Sequence, residues 1–68
     1  MNNIKKYREK SGLKQIDLVR KTGLSKAAIS LFENGKSTPS MNSAYKIAKA
    51  LDATIDELFI FEVKEKVT

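Results

Sequence analysis

The stretch QIDLVRKTGLSKAAISLFENGK, residues 15–36, decides how this chain folds. Leu18, Val19 and Thr22 recur at helical spacing and give a first short helix one inward face. Gly23 follows directly, and glycine is the residue type that ends a helix in a left-handed C′ position. Leu24 is placed to plug the corner. Ser25 can cap the next helix, because its hydroxyl can accept from the free N–H groups of the first turn. That second helix turns Ala28, Ile29 and Phe32 inward at three- and four-residue spacing. It stops at Asn34-Gly35, a second termination signal.

Two helices joined across a short, Gly-containing turn make a helix-turn-helix, whose second helix enters the DNA major groove. Apolar spacing of this kind occurs in any small helical bundle, so the combination matters more than any part. Gln15 stands at a helix start, Val19 at a close crossing, Gly23 in the turn, and Ile29 and Phe32 as core plugs. Glu33-Asn34-Gly35-Lys36 trails them. With these residues the chain resembles the Cro/repressor (XRE-type) helix-turn-helix family of phage and bacterial transcriptional regulators, over about residues 4–59. The resemblance implies an all-α, five-helix repressor-like domain in which helices 2 and 3 form the motif.

Working outward, Asn2 or Asn3 can cap a first helix that runs to about Lys10, with Gly12 past its end. Ile4 and Tyr7 mark its inner face, and Leu13 closes the link to helix 2. Arg8 lies near the same face. The resemblance implies that Arg8 pairs with Glu33 and clamps helix 1 to the end of the recognition helix. On the other side, Ser37-Thr38-Pro39-Ser40 is a polar loop, and Pro39 pushes Thr38 out of helical geometry. A fourth helix is expected over residues 41–51, with Ala44, Ile47, Ala48 and Leu51 at i, i+3, i+4 and i+7. Asp52 occupies its C′ position, a geometry that Asp tolerates less well than Gly. Thr54 and Glu57 form a T-x-x-E capping box that opens a short fifth helix containing Ile55, Leu58 and Phe59. From Phe59 onward the pattern alternates with a strand period. It fits either a C-terminal strand, beside the N-terminal residues or across a two-fold axis, or a frayed tail. The domain division is therefore 1–60 for the helix-turn-helix domain and 61–68 for a tail that makes a strand or a dimer contact.

Sixty-eight residues make one domain at most. A chain this short buries only about 60% of its unfolded surface, and without cysteine no disulfide can compensate. Without histidine or cysteine a zinc site is disfavoured as well. Helix packing and a partner subunit are left as sources of stability. No apolar run approaches the roughly 18 residues of a membrane span. The N-terminal MNNIKKYREK lacks the apolar core of a signal peptide. Both observations, with the missing cysteine, fit the cytoplasm, and a nucleoid-associated location is expected. The net charge of +5 hides an asymmetry. Residues 1–51 carry 11 Lys/Arg against 3 Asp/Glu, a net of +8, whereas residues 52–68 carry 2 Lys against 5 Asp/Glu, a net of −3. A basic body with an acidic tail suggests a polyanion-binding face.

The start of helix 2, at Lys14 and Gln15, presents unpaired N–H groups and a partial positive charge that suit a phosphate. Lys14 is a poor cap but adds charge there. The resemblance implies that the Gln15 side chain packs near the DNA backbone and the recognition helix. It implies phosphate contacts from Ser25, and from Asn34, Lys36 and Ser37 in the loop after that helix. It also implies that Lys26, Ala27, Ser30 and Leu31 read base edges. Lys26 can donate to guanine, Ser30 can bond several bases, and Ala27 and Leu31 can touch thymine methyl groups. Leu31 either joins this reading set or packs beside Phe32. With so few hydrogen-bonding groups, DNA shape is expected to carry part of the recognition. Family members mostly bind as symmetric dimers on inverted repeats. Ile55, Phe59, Ile60 and Phe61 form the candidate interface, unless the two phenylalanines fold back onto the monomer.

There is no Gly-rich phosphate loop, and the acidic residues gather in the tail, so the chain is not expected to be an enzyme. No cofactor, metal or small-molecule ligand is expected, and no room is left for a ligand-sensing domain. The expected partners are double-stranded DNA and a second copy of the chain, and the expected role is a repressor. An antitoxin or a protein-interaction adaptor built on the same fold is the rival reading.

Overall fold

The computed structural model describes residues 2–59. They fold into five helices: α1 Ile4–Lys10, α2 Gln15–Thr22, α3 Lys26–Glu33, α4 Met41–Ala50 and α5 Ile55–Leu58. Each helix sends one side chain into complete burial: Ile4, Leu18, Ile29, Ile47 and Leu58 respectively. Phe32, Ala48 and Leu51 fill the space between them. Burying an aliphatic side chain of this size stabilises by about 1.5–3 kcal/mol. The core therefore depends on every helix, including the single turn of α5. α2 packs against both α3 and α4, and α1 packs against α3.

The helix ends follow from local chemistry. Gly23 closes α2 at φ +76°, and its N–H bonds the Val19 carbonyl at 2.8 Å. The Thr22 hydroxyl, which sits on the inner face, donates to the Leu18 carbonyl at 2.7 Å and accepts from the Leu24 N–H at 3.1 Å. A buried polar group is thus fully used to fix the turn. Ser25 then caps α3 by accepting from Ala28 N at 3.0 Å, and Ser40 caps α4 by accepting from Ser43 N at 3.2 Å. Asp52 adopts φ +54° at the end of α4, where Asp52 N bonds Lys49 O and Ala53 N bonds Ala48 O. This is the paired hydrogen-bond pattern of a Schellman stop, carried by an aspartate in place of the usual glycine.

Two expected features differ. α5 ends at Leu58, so Phe59 is not helical; it takes φ −116°, ψ 120° and forms an isolated antiparallel bridge with Asn2. The cause is tertiary: Asn3 N donates to Leu58 O at 2.6 Å, and the Asn3 side chain donates to Glu57 O at 3.0 Å. Neither asparagine caps α1 in the ordinary way, since Asn3 at the cap position makes no side-chain cap bond. Instead Asn2 Oδ1 accepts from Ile4 N at 3.0 Å while its amide donates to the Phe32 carbonyl at 2.7 Å. The N-terminal residues are thus a strap across the ends of α3 and α5. The bridge lies beside the N-terminal residues, one of the two placements expected for a strand. The remainder of that expected strand, with the 61–68 tail, falls outside the described residues.

Candidate nucleic-acid interface

The outer surface of α3 is set by what its inner surface must do. Ile29 is fully buried, Phe32 nearly so, and Ala28 packs partly against the core. Helical spacing then turns Lys26, Ala27 and Leu31 outward. All three are exposed, Leu31 at 44%, which is high for a leucine and places it on the surface, not in the core. Ser30 is half-buried, and its hydroxyl lies 3.5 Å from the Asn34 side-chain nitrogen.

Glu33, the one carboxylate of α3, is withdrawn from this surface. Arg8 Nε donates to Glu33 Oε2 at 2.6 Å, and a second guanidinium nitrogen reaches Oε1 at 3.3 Å. The two side chains are only 10% and 2% exposed. Gln15 Nε2 adds a third bond, to Oε1 at 3.0 Å, and Arg8 also donates to the Leu13 carbonyl at 2.8 Å. A buried carboxylate with three donors is compensated. One carboxylate therefore joins the inner face of α1, the start of α2 and the end of α3. It also leaves the exposed face of α3 free of negative charge.

At the start of α2, Lys14 has no acceptor with which to cap the helix. Asp17 supplies the bond from the other side: its Oδ2 accepts from Lys14 N at 2.8 Å. The Lys14 side chain stays exposed. Gln15 commits one N–H of its side-chain amide to Glu33, which leaves the other N–H, with the backbone N–H groups of Gln15 and Ile16, for an outside acceptor; Asp17 N already bonds the Lys14 carbonyl. Ser25 accepts the cap bond on one lone pair and keeps its hydroxyl proton to donate. After α3 the chain turns at Gly35, φ +71°, where Gly35 N bonds Phe32 O and Lys36 N bonds Leu31 O. This stop leaves Asn34, Lys36 and Ser37 exposed at one end of α3, with Ser25 and Lys26 at the other.

Of the expected subunit contact, Ile55 and Phe59 are half-buried, and Ile60 and Phe61 lie outside the described residues. Ile55 and Phe59 line an almost wholly apolar groove of about 210 Å³ with Thr38, Pro39, Met41 and Ala44. Met41 is 73% exposed. Sequence reasoning missed Met41, whose signal was an apolar side chain at the first position of α4, off its inward stripe. Among the described residues no group of His, Cys, Asp or Glu could hold a metal ion, and no helix is long and apolar enough to cross a membrane.

The family model described as "Helix-turn-helix" matches residues 4–58. Curated relatives agree along nearly the whole chain. An uncharacterized HTH-type transcriptional regulator of Archaeoglobus fulgidus is 42% identical over 62 residues, covering 91% of this chain and 89% of its own. One of Methanocaldococcus jannaschii is 42% identical over 64 residues, covering 94% and 97%. These relatives are archaeal, which extends the likeness beyond the phage and bacterial members that the sequence brought to notice. The buried helix crossing, the glycine stops and these matches together place the chain in the XRE-type helix-turn-helix family of DNA-binding transcriptional regulators.

Proposed function

We propose that this chain is a repressor that binds an inverted-repeat operator as a homodimer, with α3 of each copy in the major groove. The observation that carries the reading is the surface of α3. It offers Lys26, Ala27, Ser30 and Leu31 to a partner, while Glu33, its one carboxylate, is held inside by Arg8 and Gln15. A base-reading helix needs such a surface, because a free carboxylate facing phosphates would repel them. Lys14, Gln15 and Ser25 on one side and Asn34, Lys36 and Ser37 on the other grip the two strands through phosphate oxygens. They fix the register in which Lys26 and Ser30 meet base edges.

A second copy joins through Ile55 and Phe59; Ile60 and Phe61, expected in the same contact, lie outside the described residues. Pairing would set the two recognition helices one turn of DNA apart, about 34–36 Å. A dimer seated on a promoter represses by occupying it, and the site of action is the cytoplasm. The domain that does this is residues 1–60. Selection of bound duplexes from a random pool, followed by sequencing, tests the reading. A two-fold symmetric motif with half-sites about 10–10.5 base pairs apart is expected. A pool that stays random at low ionic strength would end it.

A further inference from the structure

A second basic surface is built without α3. Lys21 at the end of α2 and Asn42, Tyr45, Lys46, Lys49 and Ala50 of α4 line an open groove of about 510 Å³. None of these residues belongs to α3 or to the loop that follows it. On α4 the four polar ones fall at i, i+3, i+4 and i+7, one face of the helix about 10 Å long. No carboxylate lines the groove, and the one ion pair among the described residues is that of Arg8 with Glu33. The three lysines that line it, in no ion pair among the described residues, repel one another, and a polyanion relieves that repulsion. Tyr45 is 58% exposed and also borders a second open hollow of about 430 Å³, which Lys49 lines together with the acidic Asp56, so the polyanion is assigned to the first groove.

We propose that this groove is a second nucleic-acid site and that it takes a single strand. Lysines can follow the phosphates of any strand, but an exposed ring beside them gains only from bases that are free to stack on it. A duplex keeps its bases stacked inside and would leave Tyr45 idle. An acidic peptide would satisfy the lysines without using a flat aromatic face. None of its lining residues is shared with the α3 surface, so on this proposal the protein holds a duplex and a single strand at once.

The test is fluorescence anisotropy of the full chain with a labelled oligothymidylate of about 15 nucleotides, over a range of salt. Lys46→Gln with Lys49→Gln should weaken binding and flatten the log–log salt slope by about 1.4, at about 0.7 per phosphate. Tyr45→Ala should weaken it by about tenfold, Tyr45→Phe should bind like the parent, and Lys26→Ala should leave it unchanged. Melting curves of the variants check that they fold, and the lysine pair, exposed on α4, carries the test if Tyr45→Ala does not. Absence of oligothymidylate binding would overturn the proposal. So would loss of binding in Lys26→Ala, indifference to the lysine pair, or displacement at equal charge by a duplex or a polyglutamate peptide.

Discussion

Arg8 and Glu33 form a two-pronged ion pair, 2.6 Å at its shorter arm, almost closed to water between α1 and the end of α3. Such a pair adds little net stability, because desolvating both charges offsets their attraction. Removing one partner is different, since the other is left buried and charged. Glu33→Ala should cost about 3–5 kcal/mol. At about 4–8 °C per kcal/mol in so small a domain, the melting temperature should fall by at least about 12 °C. Replacing both residues, with Arg8→Met and Glu33→Leu, should recover most of that loss. An unchanged melting curve for Glu33→Ala would show that the pair is not structural.

Asp52 ends α4 in left-handed geometry at φ +54°. That region costs most L-residues about 1–2 kcal/mol, somewhat less for Asp, and costs glycine nothing comparable. Asp52→Gly should therefore raise the melting temperature by a few degrees. Asp52→Asn, which keeps a similar shape without the charge at a helix C-terminus, separates backbone relief from the dipole effect. A lower melting temperature for both variants would contradict the assignment of strain to this residue.

Lysines at the interface should divide by role. Lys36→Ala should weaken binding to every duplex alike and reduce the salt slope by about one. Lys26→Ala should cost about 1–3 kcal/mol on the selected operator and little on random DNA. Titrations of both variants against both duplexes give the comparison. Equal losses for Lys26→Ala on the two duplexes would remove it from base reading.

Most of this architecture was legible because its stops and caps are local. Gly23 and Gly35, the Ser25 cap and the Thr54–Glu57 box act within a few residues of themselves, and each formed as its sequence suggests. What escaped was non-local. Phe59 reads both as the end of the fifth helix and as the start of a strand period; what decides between them is the strap at Asn2 and Asn3, at the other end of the chain. The start of α2 differs for a local reason. Lys14 cannot cap, yet Asp17, three residues on, reaches back to its N–H. On the interface, the outward positions of α3 follow from the period of its buried side. The grouping of Met41 with Pro39, Ile55 and Phe59 needed the packing of α4 against α5.

That apolar groove leads to a prediction about assembly. Sedimentation at micromolar concentration should show a dimer. Phe59→Lys, which puts a charge on the apolar wall, should shift it toward monomer. Half-site duplexes should then bind about as well as before, and full operators should lose their advantage, since linked binding is what joins two half-sites. A parent protein that sediments as a strict monomer with and without DNA would exclude the dimer.

The claim on which the rest depends is that the exposed face of α3 meets bases in duplex DNA. Backbone amide chemical shifts, followed while the selected operator is titrated into labelled protein, test it most directly. The largest changes should fall at Lys26, Ala27, Ser30 and Leu31, flanked by Gln15 and Lys36. Changes confined to α4 and α5, with α3 unmoved, would contradict it.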